Sequence, residues 1–265
     1  MGLLYDGSML NATVLANILL SERLFILRIL PDYGVPEFIP GQYLVLGLPC
    51  KDPRRAGSFC GMVTPPPSRL IRRTYSIGSA PHQKEYLEFL IAVVPGGALS
   101  GRMACLAQGD RLYAARRPAG KFTLKTAAPG SRLIFAASGS GVAPFVSMLR
   151  AMGTWPCASE VVLIHGARNR RELAYEEELR VLAAERDSFV YEPILSRPEA
   201  DWVGKSGYVQ SLFESGELHL NAARDHIYLC GHPGLIQESI ALLTKAGFVP
   251  HSAKEPGNLH IEKYW

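Results

Sequence analysis

At 265 residues the chain has room for about two domains of the usual size, roughly 150 residues each. Its composition, 48% hydrophobic and 20% charged, is that of a folded globular protein and excludes disordered and fibrous classes. The formal net charge is +4, but residues 1–127 hold 15 Lys and Arg against 8 Asp and Glu, while residues 128–265 hold 13 against 16. A basic first half points to electrostatic steering of an acidic partner. The excess is too small, and too poor in stacking aromatics, to point to nucleic acid.

No apolar run approaches the roughly 20 residues that span a bilayer. The longest, residues 87–94, is interrupted by Glu88. The first ten residues carry Asp6 and no basic residue, so a secretory signal is not expected and the cytoplasm is the expected compartment. The five cysteines form no CxxC pair and no metal-ligand spacing, which predicts reduced thiols, no metal and no iron–sulfur cluster. Any redox chemistry must then come from an organic cofactor.

In chain order, residues 23–30, 43–48, 74–77, 86–94 and 111–115 are short apolar or β-branched runs punctuated by Gly, Pro and Asp. That grammar predicts a small antiparallel β-barrel or sandwich. Residues 51–69 read as a long loop. The second half changes period. Strand-like runs at 132–137, 161–165, 189–195 and 227–230 alternate with helical patterns at 144–152, 171–184, 208–215 and 233–246. Such alternation predicts βαβ units around a parallel sheet. The boundary is placed at 127/128, giving a β-domain over 1–127 and an α/β domain over 128–265.

The strand at 132–137 runs into Ser138-Gly139-Ser140-Gly141-Val142-Ala143-Pro144, and a helix follows. Glycines at a strand–helix turn allow close backbone approach, and the helix N-terminus offers N–H groups to a phosphate. Pro144 falls where a first-turn proline is tolerated. The next strand ends in Gly166-Ala167-Arg168, with Arg170 and Arg171 beyond and no acid until Glu172. Ser196-Arg197 follows the third strand. An acid at this place suits a ribose 2′-hydroxyl, whereas arginine suits a 2′-phosphate, so NADPH is expected over NADH.

Five segments in this order resemble the ferredoxin/flavodoxin–NADP+ reductase family, over about residue 13 to the last. Arg73-Thr74-Tyr75-Ser76 is similar to its RxYS flavin motif. Gly97-Ala98-Leu99-Ser100 is similar to its pyrophosphate-holding GxxS, and Gly139 to Pro144 to its nicotinamide-nucleotide loop. Cys230-Gly231-His232-Pro233 is similar to its CGxP, and Glu262-Lys263-Tyr264-Trp265 to its ExY and YW endings. The resemblance implies an FAD-binding antiparallel β-barrel followed by a Rossmann-like NADP(H)-binding domain with a flavin-covering tail. It implies an enzyme exchanging hydride with NADP(H) and single electrons with ferredoxin or flavodoxin, with a monomer as the expected state. Alternatives are a related NADPH-dependent flavin, ferric or oxygenase-component reductase, or an electron-transfer subunit that needs a partner enzyme.

By the same resemblance Arg73, Thr74, Tyr75, Ser76, Ala98, Leu99, Ser100, Tyr264 and Trp265 bind FAD. Gly139, Ser140, Gly141, Val142, Pro144, Arg168, Ser196, Arg197, Tyr208, Cys230 and Gly231 bind NADP. Ser76 serves flavin N5, Cys230 borders the nicotinamide, Glu262 assists proton transfer or nicotinamide placement, and Tyr264 covers the flavin; these four are the candidate catalytic residues. The plastid-type pattern has a Lys two residues before the Tyr of the 2′-phosphate site, where Ser206 stands here, so Lys205 is a doubtful substitute.

Overall fold

The computed structural model describes residues 10–50, 70–151 and 158–263. The chain divides into two compact units, Met1–Lys121 and Phe122–Trp265.

The first unit is a six-stranded antiparallel sheet built from β1 (Ala12–Ser21), β2 (Leu24–Pro31), β3 (Tyr43–Pro49), β4 (Leu70–Ser76), β5 (Leu87–Ala92) and β6 (Arg111–Ala114). Spatial order is β4-β3-β6-β1-β2-β5. Two residues past β4, the Gly78 N–H donates to the Glu88 carbonyl of β5 at 2.8 Å, so the two ends of the sheet meet and it curls shut. Alternate residues point inward, and Phe25, Leu27, Ile29, Leu44, Leu46, Phe89 and Ile91 are fully buried among them. Each such side chain contributes roughly 1.5–3 kcal/mol of burial. A four-residue helix, α1 (Ser100–Met103), seals this core with Leu99 and Met103.

Sequence patterning gave no strand over β1. Its pairing with β2 shifts register between Val14 and Ala16 and again between Leu19 and Ser21. Each shift reverses the in–out alternation, so ATVLANILLS shows no period of two.

The second unit carries β7 (Ser131–Ser138), α2 (Ala143–Arg150), β8 (Ala158–Ala167), α3 (Glu176–Glu185), β9 (Phe189–Leu195), β10 (Lys205–Ser206), α4 (Ser211–Glu214), β11 (Asp225–Gly231), α5 (Pro233–Lys245) and β12 (Leu259–Lys263). The sheet is parallel throughout, in the order β10-β9-β8-β7-β11-β12. One face packs Ile134, Ala136, Val162, Ile164, Ile227 and Leu229 against α4 and α5. Residues 122–127 lie in this unit, six residues ahead of the boundary read from sequence. The Phe122 ring accounts for that: it meets Tyr228 edge-on at 5.6 Å and Phe145 at 5.7 Å.

Helix α3 starts five residues later than its pattern suggests. Arg170–Glu172 form a short 3-10 turn, Leu173 and Ala174 are buried, and Tyr175 turns the chain with φ +64°. The final strand β12, expected only as a tail, adds in parallel to β11. No helix among the described residues is long and apolar enough to cross a membrane.

Candidate functional site

In the first unit, antiparallel pairing with β3 lays out the segment Arg73-Thr74-Tyr75-Ser76. Leu46 faces Arg73, Leu44 faces Tyr75 and Tyr43 faces Ser76. Arg73 and Thr74 are exposed, Tyr75 packs partly against the core, and Ser76 is buried. The Arg73 guanidinium donates to the carbonyl of Arg72 at 2.7 Å. Burial pushes the Tyr75 phenol well above its ordinary pKa, so it is a neutral aromatic at any working pH.

The turn Gly97-Ala98-Leu99-Ser100 enters α1. Ser100 Oγ accepts the N–H of Val94 at 3.0 Å, which fixes the oxygen and leaves the hydroxyl proton to donate. The Leu99 side chain is core, 2% exposed, so only its backbone can meet a ligand. This donor set, a surface guanidinium beside a flat neutral aromatic and an anchored serine, fits a flavin dinucleotide.

In the second unit, two motifs some 90 residues apart come together at the C-terminal ends of β7 and β11, which are neighbours in the sheet. A Cβ added at Gly141 would stand 2.2 Å from the Cys230 carbonyl oxygen and 2.8 Å from the Gly231 Cα, so only glycine fits there. Ser138 Oγ accepts the N–H of His232 at 3.0 Å, and the His232 ring accepts the N–H of Gly234, capping α5 behind Pro233. Ser140, Val142 and Pro144 are buried and offer backbone or nothing.

Gly139 is different. It sits at φ +55°, partly exposed, and a Cβ there would meet nothing within 4 Å. Helix α2 follows with no side-chain cap and no acid in its first turn. An open glycine turn before an uncapped helix is a cradle that fits a dinucleotide phosphate.

The ends of β8 and β9 build the neighbouring corner. Arg197 N–H donates to the Arg168 carbonyl at 2.7 Å, and Ser196 N–H donates to the Ala167 carbonyl at 3.0 Å. Arg168 and Arg197 are both exposed, and neither makes an ion pair among the described residues. Gly207 N–H donates to the Leu195 carbonyl at 2.8 Å, and Tyr208 follows, 66% exposed. The structure therefore brings Arg168, Ser196, Arg197 and Tyr208 to one corner. Lys205 is held by Glu217 and, at 3.5 Å, by Glu192. Arg170 lies over the Trp202 ring at 5.8 Å.

Strand β12 brings Glu262 opposite Cys230, with Sγ 3.9 Å from Oε2. Below them on the same face Tyr228 stacks on His260 at 4.1 Å, His226 Nδ1 lies 3.1 Å from His260 Nε2, and the His251 ring lies 4.8 Å from that of His260. Burial, then the charges of His226 and His251, press the His260 pKa down to about 3. His226 is lowered too, by burial and His251, with Asp225 opposing. His165 at the end of β8 is fully buried with Nδ1 3.0 Å from the Tyr191 hydroxyl, and burial lowers it to about 3. The sequence reading missed these histidines: nothing in the sequence marks His226, His251 and His260 as neighbours or His165 as buried. Tyr264 and Trp265 lie outside the described residues, as do 51–69. Among the described residues no three His, Cys, Asp or Glu are grouped to hold a metal ion.

Residues 39–124 match the oxidoreductase FAD-binding domain and residues 135–240 the oxidoreductase NAD-binding domain. The ferredoxin–NADP reductase of Pseudomonas aeruginosa is 30% identical over 259 residues, 92% of each chain. The chain belongs to the ferredoxin–NADP reductase family. Ferredoxin–NADP reductase B of Sorangium cellulosum is 33% identical over 213 residues, 79% of this chain and 84% of the relative. The fold of this reductase-family chain is also that of the Neisseria gonorrhoeae ferredoxin NADP+ reductase solved with bound FAD and NADP. The TM-score is 0.81 at 23% identity, covering 96% of this chain and 98% of that one. In this reductase fold FAD belongs to the first unit and NADP(H) to the second.

Proposed function

We propose that the protein is an NADPH-specific FAD oxidoreductase that passes single electrons to an acidic ferredoxin or flavodoxin. The observation that carries the nucleotide choice is the Arg168–Arg197 corner, locked by a 2.7 Å backbone hydrogen bond and left without acidic partners among the described residues. Two exposed guanidinium forks at that place suit the 2′-phosphate that NADPH has and NADH lacks.

Bound FAD supplies the conversion between hydride and single electrons. The chain supplies binding and orientation. Arg73 and Ser100, with the backbone of Thr74, Ala98 and Leu99, hold the pyrophosphate; Tyr75 stacks on the isoalloxazine; the Ser76 hydroxyl serves N5. The turn Gly139, Ser140, Gly141, Val142 and Pro144 holds the NADP pyrophosphate, and Ser196 and Tyr208 complete the corner around its adenylate end. Cys230 and Gly231 border the nicotinamide, and Glu262, 3.9 Å from the thiol, holds or moves a proton there. Tyr264 and Trp265 serve as the flavin cover. Arg72, Arg116, Arg117 and Lys121, all exposed, are the described part of the basic surface that attracts the carrier; Arg54, Arg55 and Arg69, also assigned to it, lie outside the described residues.

Anaerobic absorbance titration of the purified protein tests this reading. Bleaching of a flavin spectrum by NADPH at a far lower concentration than NADH is expected. Equal bleaching by both removes the 2′-phosphate assignment, and a colourless protein that FAD does not reconstitute removes the enzyme reading. Turnover with ferredoxin, flavodoxin, free flavin and ferric chelates then ranks the acceptors.

A further inference from the structure

Among the described residues, the arginine most deeply buried in the first unit has no acid beside it. Arg102, in α1, is 2% exposed and packed among Leu99, Met103 and Cys50. Its guanidinium donates to the carbonyl of Ala98 and, at 3.0 Å, to the carbonyl of Cys50, with the Cys50 sulfur 3.8 Å away. Its Nε is buried with no hydrogen-bond partner. No carboxylate among the described residues lies within ion-pair distance of it. The ion-paired arginines of this unit behave differently: Arg28 meets the fully buried Glu88 at 2.8 Å, and Arg111 meets Asp32. Carbonyl oxygens satisfy N–H groups without cancelling a charge, and a guanidinium removed from water without a counter-charge is strongly unfavourable.

We infer that Arg102 is a positioning residue whose buried charge is balanced by the pyrophosphate of FAD. The inference rests on the flavin reading above. Geometry links the two: Arg102 clamps the carbonyl of Ala98, inside the Gly97–Ser100 turn assigned to the pyrophosphate, and ties it to the end of β3 at Cys50. A diphosphate over that turn feels the cation through a low-dielectric core, where screening by water is weak. Arg102 therefore acts twice, by fixing the turn and by making its surroundings positive. Neither effect touches the isoalloxazine ring.

The test compares a phosphate-bearing ligand with one that has none. Deflavinated full-length protein and its Arg102→Met and Arg102→Lys variants are titrated with FAD and with riboflavin, and their melting temperatures are measured with and without FAD. Arg102→Met is expected to weaken FAD roughly 10- to 100-fold while moving riboflavin less than about 3-fold. Its apoprotein is expected to melt no lower than wild type, because a buried unpaired charge has been removed. Arg102→Lys, which keeps the charge, is expected to recover most of the preference for FAD. A variant that loses FAD and riboflavin in equal proportion, or loses neither, overturns the inference and leaves Arg102 as packing. If Arg102→Met does not fold, Arg102→Lys decides by the same ratio: FAD preference kept supports the inference, and preference lost overturns it. Wild-type protein that binds no flavin refutes the flavin reading itself, a separate result.

Discussion

Arg168 and Arg197, proposed for the 2′-phosphate, stood out before any folding, because arginine rather than an acid after the second and third strands of an α/β unit suits a phosphate. Their proximity was not legible; it is made by the parallel register that sets Ala167 against Leu195. Replacing both with Gln is expected to raise the KM for NADPH by about 100-fold and leave NADH within about 3-fold, read from steady-state rates with an artificial acceptor. Replacing Arg170, which is occupied by Trp202, should change neither by more than about 3-fold. Leu99 and Val142 show the limit of motif reading at this scale. Their positions match, yet their side chains are core at 2% and 0% exposure, so they lend backbone alone. Arg102 shows the converse: among the 28 basic residues only burial distinguishes it, and burial is a tertiary fact.

Among the elements, α2, α5 and the buried strands of the second unit followed their periodicity, and α4 kept only Ser211–Glu214 of the expected 208–215; β1, β12 and the start of α3 did not follow it. In each case a neighbour outweighed local pattern: β2 through two register shifts, β11 by accepting a parallel partner, and the buried Leu173–Ala174 pair by anchoring the chain ahead of α3. The glycine turn is likewise a two-element object. Gly141→Ala would drive a Cβ to 2.2 Å from the backbone of β11, neither partner being a flexible side chain. Loss of roughly 1–3 kcal/mol is expected in urea unfolding, together with weaker NADP+ binding.

The pairing of β11 with β12 also carries a pH dependence. His260 has a folded pKa near 3 against 6.5 unfolded, so the unfolded chain takes up the proton first as pH falls. Its contribution to stability is complete above about pH 6.5 and is lost progressively from there down toward pH 3; His165 adds a second loss over the same window. Urea midpoints measured between pH 7.5 and 4.5 should therefore fall steeply. His260→Gln should flatten the slope by up to about 1.4 kcal/mol per pH unit. An unchanged slope would mean that His260 titrates alike in the folded and unfolded chain.

For the whole molecule, charge and period both divide the sequence near residue 127, and the compact units of the chain divide at Lys121/Phe122. The basic first half predicts a rate effect rather than a structural one. Raising ionic strength from 50 to 300 mM should cut kcat/KM with an acidic carrier about 10-fold or more and leave reduction of a neutral acceptor nearly flat. Equal salt responses would remove the carrier from the role assigned to that surface.

The contact between Gly141 and the Cys230–Gly231 backbone has a consequence in time. During synthesis the glycine turn leaves the ribosome some 90 residues before the strand that braces it, while β8 and β9, on the other side of β7, emerge in between. Domains fold as their last partners arrive, and parallel pairings across such separations are slow. A nascent chain that has emerged only through β9 carries the whole glycine turn, yet half of the wall it leans on has still to be translated.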